Sequence, residues 1–502
     1  MSVAAVPMSD GGGAPRWRQR LSWAAGALTA LVLLGWLAPA IALMVVAVAS
    51  VAWVAVSPKR AFVVLACLLP LHTVTMAFLY GIVGVPEGIM RLMAAWKELV
   101  VLAAFVATLV RALTGRGSGA SVHWLDLVVG ALGALILADL IAREAFVGTS
   151  VPFVGQLYGV RDSGIFLLLY YVGRSNAQEM TTEGILRMLF IIGVLTAVLA
   201  IIERLFVPPQ VVAAVGLATY MKDFLNVGLY LTEDGLPQNF FSDIGGTRFR
   251  RAGSIWLSSQ AFALSFLLIM PAATILLLRR DRRAHVLRWL GYAVSWIGLL
   301  LSITRGPIFA TVVAVCVVAW YMHRRWAILG MIAAFVGAVA IAIVAVPALG
   351  TWLIDTLFFR TSSSTGHIGD WTSGLISLFE NPMGTGLATA DATGDRFGAQ
   401  HVTSDNLYLK YGVELGFLGL GLLLTIFAGV AGSAWTAIRS KIASVEQRHF
   451  GIWVLAATIG VVISGMTVTI FGDQFVAYLY LWLAGAMVTV AQASRSPSSS
   501  RA

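Results

Sequence analysis

Charged residues are scarce in this 502-residue chain, where they make up 12% of the sequence. A typical soluble domain has about one quarter charged residues. Hydrophobic residues make up 59% of the chain, and the mean hydropathy is +0.86. The few charges lie in short clusters between apolar runs of about 17 to 25 residues, the length that a helix needs to cross a bilayer. This composition excludes an ordinary soluble protein and predicts a membrane protein with many spans.

Cysteine is nearly absent as well, and its two positions exclude two classes of structure. Cys67 and Cys316 lie inside apolar runs and do not have the spacing of metal ligands. We therefore expect neither a disulfide framework nor a zinc site. The net charge of +10 does not indicate nucleic-acid binding. The basic residues lie mainly in short loops between apolar runs, where positive charge orients a membrane protein.

The apolar runs predict an all-α polytopic membrane protein with about 14 (12–14) transmembrane helices. They lie near residues 22–38, 40–57, 61–83, 98–114, 125–147, 162–174, 185–207, 255–278, 287–303, 307–322, 326–349, 406–431, 450–470 and 474–492. The segment 1–21 ends in a basic stretch, and no convincing cleavage site follows it, which favours a retained first helix over a signal peptide. Residues 22–492 then form one transmembrane domain, and residues 493–502 form a C-terminal tail.

The basic clusters predict the orientation of these helices. If the N-terminus is cytoplasmic, most of the basic loops fall on the same side, both tails are cytoplasmic, and the positive-inside rule is obeyed. This orientation leaves two long external segments, at about 208–254 and 350–405. Neither has the length or strand pattern of a separate catalytic domain. Long loops carry function more often than tight connections do, so we expect the functional site there.

Several arginines remain on the predicted external side, against the positive-inside bias. Arg161, Arg248, Arg251 and Arg305 lie at or near predicted membrane boundaries, the last two in the motifs RFRRAGSIW and SITRGP. A guanidinium stays charged at any working pH and binds phosphate oxygens through two parallel hydrogen bonds, so the set predicts an anion-binding site. For each single arginine the alternative is contact with lipid headgroups or an ion pair with Glu98, Glu144 or Asp162.

The second external loop carries further motifs in a distinctive order. Arg360 is followed by W-x8-ENPMGTG, which predicts an amphipathic segment ended by Pro382 and a glycine turn whose amides approach a ligand. The motif SDNLYLKYG then returns the chain to the membrane. The aromatic residues Trp371 and Tyr408 either stack on sugar rings or lie at the membrane interface.

This order of motifs resembles the O-antigen ligase and polymerase superfamily. The similarity covers about residues 245–425, from RRAG through SITRGP, Arg360 and NPMGTG to DNLYLKYGVELGFLG. It implies metal-independent glycosyl transfer, without a cofactor, from an undecaprenyl-diphosphate-linked oligosaccharide at the periplasmic face of a bacterial inner membrane. It also implies that Arg305 and Arg360 recognise the diphosphate. Membrane lipid and other polysaccharide-assembly proteins are candidate partners.

The candidate catalytic residues lie around the return motif, where the chain departs from the family pattern. Family ligases usually carry a histidine directly before the asparagine, whereas Asp405 precedes Asn406 here and the nearest histidine is His401. Asp405 is our first candidate for the base that accepts the sugar hydroxyl proton, His401 the second and His367 the third. Asn406 and His367 are also predicted to bind substrate. The alternatives are a helix cap for Asp405 and a solvated loop residue for His401.

Three functions are compatible with this sequence. The first is a polysaccharide polymerase that transfers the growing glycan to the next lipid-linked repeat unit, which the missing histidine favours. The second is a ligase that uses lipid A core or a protein as the acceptor. The third, of another class, is a transporter or flippase for lipid-linked oligosaccharides. A transporter would line a central cavity with its charges, whereas the arginines here gather at the external boundary.

Overall fold

A computed structural model describes residues 38–115, 121–142, 151–225, 231–244, 247–279, 285–323, 362–390 and 405–495, together with isolated positions between 326 and 397. The chain divides into two compact units, Met1–Ser50 and Val51–Ala502. The first helix begins in the first unit and ends in the second, and the description below concerns the second unit.

Long helices dominate the described residues. In chain order they are α1 (Pro39–Val56), α2 (Arg60–Gly81), α3 (Glu87–Ala94), α4 (Trp96–Leu113), α5 (Trp124–Ala142), α6 (Phe153–Ser163), α7 (Leu167–Ser175), α8 (Glu183–Phe206), α9 (Ser259–Leu278), α10 (His285–Leu301), α11 (Arg305–Tyr321), α12 (Ser362–Glu380), α13 (Leu407–Arg439), α14 (Val445–Ser464) and α15 (Gln474–Ala493). A helix pairs its backbone polar groups within one segment, which the hydrocarbon core of a bilayer requires because it holds no water.

Nine helical segments within the described residues are long and apolar enough to cross a membrane, counting α3 and α4 as one segment, and α10 and α11 are shorter apolar helices. Helices α9 and α15 form the centre of the bundle, because 89% of the residues in the apolar stretch of each helix are buried. In α5 only 22% of these residues are buried. The outer helices expose large apolar side chains such as Leu127 and Leu195, which suit contact with lipid. The chain is therefore a polytopic, mainly helical membrane protein.

The two ends of α15 define the two ends of the bundle. At its C-terminal end, Gln492 accepts a hydrogen bond from Arg174 (2.9 Å), which also pairs with Asp126 (2.8 Å). At its N-terminal end, the preceding loop lies against Gly306, next to Arg305. A 20-residue helix is about 30 Å long. Arg174 and Arg305 therefore lie at opposite ends, as the alternation of predicted spans requires, while the side that faces the cytoplasm stays a prediction.

Most of the predicted apolar runs lie on these helices, with three exceptions. The run at 162–174 does not form one helix, because the chain breaks between α6 and α7 at residues 164–166. The runs at 22–38 and 326–349 lie wholly or largely outside the described residues, so the total of about 14 spans stays a prediction.

The segment 208–254 contains a small β-hairpin that the all-α prediction did not include. Strands β1 (Phe241–Ile244) and β2 (Thr247–Arg250) pair antiparallel, with Phe241 opposite Arg250. A two-stranded ribbon leaves edge groups unpaired and needs water to satisfy them. Its presence therefore fits a loop outside the hydrocarbon core, and it leads the chain directly to Arg251.

Candidate functional site

The turn between β2 and α9 is held in place by a carboxylate from α8. One oxygen of Glu203 accepts hydrogen bonds from the backbone N–H groups of Gly253 (3.1 Å) and Ser254 (2.6 Å). The Ser254 hydroxyl donates to the carbonyl of Thr196 (2.8 Å), also on α8. On the other side, the Ala252 N–H donates to the Leu301 carbonyl at the end of α10 (2.9 Å). Two helices thus fix the backbone on both sides of Arg251.

The side chain of Arg251 spreads over neutral oxygens at the start of α11. It donates to the carbonyls of Ser302 (3.1 Å) and Asn239 (3.2 Å) and to the hydroxyl of Thr304 (2.8 Å). All three acceptors are uncharged, so these contacts orient the guanidinium without neutralising it. A fixed guanidinium of this kind is suited to binding an anion.

A second guanidinium lies beside the first. Arg305 is the first residue of α11 and follows Thr304, the residue that accepts from Arg251. Burial and the positive charge of Arg305 together lower the pKa of Arg251 to about 10, which still leaves Arg251 charged at neutral pH. Because the charge of Arg305 lowers the pKa of Arg251, the two like charges repel each other. An anion between them would relieve the repulsion, and the positive N-terminal end of α11 would add to its binding.

Gly306 of the SITRGP motif joins this pair of arginines to the loop between α14 and α15. A side chain at Gly306 would collide with the hydroxyl of Thr467 unless that hydroxyl moved, so the two residues lie in close contact. The neighbouring Met466 accepts a hydrogen bond from the side-chain amide of Asn406 (3.0 Å). The start of α11 and the start of α13 are therefore connected through two adjacent loop residues.

Asn406 caps α13, and Asp405 does not. The Asn406 side-chain oxygen accepts from the backbone N–H groups of Tyr408 (2.9 Å) and Leu409 (3.1 Å), while its amide nitrogen holds Met466. The helix-capping alternative for Asp405 is therefore replaced by Asn406, and Asp405 lies exposed just before the helix. Both ends of the Asn406 amide are engaged by the fold, so its substrate-binding role stays a prediction.

The NPMGTG turn packs against a break in α13. Gly416 has a positive φ of 68°, which interrupts the helix and frees the carbonyls of the preceding turn. The Thr385 N–H donates to the Val413 carbonyl (2.7 Å), and the Gly386 N–H donates to the Glu414 carbonyl (3.0 Å). The expectation that the amides of this turn approach a ligand is thus wrong for these two amides, which stabilise the broken helix instead.

Arg161 has carboxylate partners, whereas the described acceptors of Arg251 are neutral. Its Nε lies 2.8 Å from Asp162 and 3.9 Å from Glu98, and its guanidinium lies over the ring of Tyr158 at 4.6 Å. These ion pairs match the alternative that the sequence left open for this residue. A substrate-binding role for Arg161 stays a prediction. The carboxylates of Asp162 and Glu98 already oppose the positive charge of its guanidinium.

The remaining predicted residues lie in different places. Arg248 is exposed on β2 beside a polar cavity. His367 and Trp371 lie one turn apart on α12, and within the described chain His367 Nδ1 and Trp371 Nε1 are buried without a hydrogen-bond partner. Arg360 and His401 lie outside the described residues. Among the residues that the structure describes, no three His, Cys, Asp or Glu side chains are grouped to hold a metal ion.

Sequence reasoning did not find the roles of Glu203 and Thr304. The Glu203 carboxylate holds a turn about 50 residues away in the sequence. Thr304 lies inside the motif SITRGP, for which we predicted a role only at Arg305. The only local sign of the Glu203 role is a carboxylate near the end of an apolar helix, which is costly unless it has a partner.

Comparison with known proteins agrees with the motifs. Residues 289–424 match the family model described as O-antigen ligase, which confirms the resemblance to the O-antigen ligase and polymerase superfamily. The matched segment includes Arg305, Arg360 and Asn406 and ends inside α13, whereas Glu203 and Arg251 precede it. No curated protein matches the chain. The match supports an O-antigen ligase- or polymerase-type function.

Proposed function

From the match to the O-antigen ligase family, we propose that this protein is a bacterial polysaccharide polymerase. It transfers a glycan from an undecaprenyl-diphosphate-linked donor to a lipid-linked repeat unit on the periplasmic side of the inner membrane. The observation that carries the proposal is the pair formed by Arg251 and Arg305, in which the three described acceptors that orient Arg251 are all neutral oxygens.

The arginine pair binds the diphosphate of the donor in this proposal. The bond between the anomeric carbon and the phosphate oxygen breaks, and the diphosphate leaves with the electron pair. Arg251 and Arg305 stabilise the negative charge that develops on the leaving oxygen. Arg360, which the family resemblance assigns to the same diphosphate, is a third donor of hydrogen bonds. Orientation and electrostatic stabilisation of this kind supply much of the acceleration in many group transfers.

The acceptor hydroxyl attacks the anomeric carbon and gives its proton to a base. Asp405 is our first candidate because it precedes Asn406, which is joined to the Arg305 end of α11 through Met466 and Thr467. A carboxylate becomes a stronger base when a bound substrate removes water from it. His401 is the second candidate and His367 the third.

The residue before Asn406 is the reason for preferring a polymerase to a ligase. Family ligases usually carry a histidine there, and this chain carries Asp405. The second candidate function is therefore a ligase that transfers the finished glycan to lipid A core or a protein. A transporter is the alternative of another class, and the arginine pair supports it less, because it lies at one end of the bundle.

The test is the glycan profile of a deletion strain complemented with wild type, Arg251→Ala, Arg305→Ala or the control Arg187→Ala. Arg187 is an exposed arginine of α8 in an ion pair with Glu183, in the first turn of that helix. We expect single lipid-linked repeat units to accumulate and long polymer to disappear in the first two variants only, at equal membrane levels of protein.

Other glycan profiles in this experiment would favour a different function. Long lipid-linked chains that persist without attachment to an acceptor would favour the ligase. Repeat units trapped on the cytoplasmic leaflet would favour the transporter. Normal polymer in both site variants would refute the proposed role of the arginine pair.

A further inference from the structure

A polar cavity of about 460 Å³ lies in the segment between α8 and α9. It is lined by Leu231, Thr232, Glu233, Asp234, Gln238 and Arg248. Its volume falls in the range of about 300 to 1,000 Å³ that is common for small-ligand sites. Nothing in the proposed chemistry uses it.

The cavity is built from a tight turn and the β-hairpin. Thr232 accepts from the Gly235 N–H (2.9 Å), and both its N–H and its hydroxyl donate to the Leu236 carbonyl (2.9 and 3.0 Å). Asp234 is held by the side-chain amide of Gln210 (2.7 Å). The opposite wall is Arg248 of β2, whose guanidinium lies over the ring of Phe241 at 4.7 Å. The cavity walls are therefore positioned by contacts of their own.

The lining favours a hydroxyl-rich ligand over an anion. Two carboxylates outnumber the single guanidinium, so the cavity as a whole repels a diphosphate. The carboxylates accept hydrogen bonds, Arg248 donates them, and Gln238 and Thr232 do both. Sugar hydroxyls also both donate and accept, and this mixture of partners is what they require. The arginine pair at Arg251 and Arg305 has the opposite character.

The position of the cavity fits a glycan whose diphosphate lies on that pair. Arg248 precedes Arg251 by three residues in an extended chain, where each residue advances about 3.3 Å, so their Cα atoms are about 10 Å apart. The hairpin continues to Arg251, whose N–H donates to the Phe240 carbonyl (2.8 Å). The cavity and the arginine pair therefore lie close together along the same hairpin.

We infer that this cavity is a subsite for an uncharged sugar unit of the lipid-linked glycan. The inference rests on the proposed function and extends it. Arg248, which the sequence predicted to bind the diphosphate or the glycan, then binds the glycan. The acidic pair Glu233 and Asp234 gives the enzyme a means to select its repeat unit by the hydroxyl pattern of that sugar.

The test measures binding of the oligosaccharide released by mild acid from the lipid-linked repeat units of the source strain. This probe has no diphosphate. Isothermal titration calorimetry of the full-length protein in nanodiscs would compare wild type with Glu233→Gln, Arg248→Gln and Arg305→Ala. The control Asp223→Asn removes an exposed carboxylate in the same loop that does not line the cavity. Glu233→Gln preserves the turn, because the contacts that hold the turn are made by Thr232, Gly235 and Asp234.

We expect Glu233→Gln and Arg248→Gln to weaken binding of the probe by about tenfold or more, since each removes a charged hydrogen-bonding partner. Asp223→Asn and Arg305→Ala should bind it as wild type does. Equal affinity in all variants, or no binding to wild type at millimolar probe, would overturn the subsite. Failure of the proposed function is distinguishable, because it appears as normal polymer in the Arg305→Ala strain.

Discussion

Replacing Glu203 with alanine should strongly lower the proposed polymerase activity without touching the reacting groups. The Glu203 carboxylate accepts two backbone hydrogen bonds, from Gly253 (3.1 Å) and Ser254 (2.6 Å). Hydrogen bonds to a charged group contribute about 1.5 kcal/mol or more each, so Glu203→Ala removes about 3 kcal/mol from the turn that carries Arg251. That energy corresponds to about a hundredfold change in the population of the correctly placed turn. We expect polymerisation to fall by up to that factor.

The assay is the initial rate of polymer formation from purified lipid-linked repeat units in nanodiscs, with the melting temperature of each variant measured in parallel. Glu203→Gln keeps an uncharged acceptor and should recover part of the lost rate, to within about tenfold of wild type. The matched control is Glu183→Ala at the other end of α8, where an exposed ion pair contributes about 0 to 1 kcal/mol. If Glu203→Ala retained the wild-type rate, the anchoring role would be refuted.

Four other substitutions test the remaining parts of the site. Arg305→Lys keeps the charge but loses the two-pronged guanidinium, so the KM for the lipid-linked donor should rise about tenfold in steady-state kinetics; an unchanged KM would contradict diphosphate binding there. Asn406→Ala removes the cap of α13 and should lower the free energy of unfolding by about 1 to 2 kcal/mol in denaturant melts. Asp405→Asn should lower the initial rate of polymer formation and leave the free energy of unfolding unchanged. Gly416→Ala forces an alanine to a φ of 68° and places its Cβ against the backbone of Pro382 and Met383, so it should cost about 3 kcal/mol or more, while the control Gly421→Ala, in open space on the same helix, should not destabilise the protein.

Much of the fold was predictable because the bilayer imposes a simple rule. A segment of about 20 apolar residues must form a helix, since its backbone groups have no water to bond with. Helices such as α9 and α15 therefore lie where their apolar runs predicted them. The amphipathic segment before Pro382 was also predicted, and α12 ends at Glu380 as that proline and the glycine turn require.

The features that the sequence did not reveal depend on contacts between distant residues. The break in α13 at Gly416 lies within an apolar run, and only its packing against the NPMGTG turn explains it. The pairing of Arg161 with Asp162 and Glu98 was one of two alternatives, and only the folded chain brings Glu98 within 3.9 Å. The β-hairpin lies in a loop with no regular alternation of apolar residues, so its strands had no strong pattern to identify them.

The geometry of the family motifs depends on residues outside the matched segment. Arg305 and Asn406 both lie within residues 289–424, and their surroundings are connected through a loop outside that segment. Gly306 packs on Thr467, and Asn406 holds Met466, so the loop between α14 and α15 sets the distance between the two motifs. Arg251 reaches the same place on a turn fixed by Glu203. The spacing of the motifs in the matched segment is therefore set by parts of the chain outside that segment, and in the proposed function these parts would also help to determine which glycan fits.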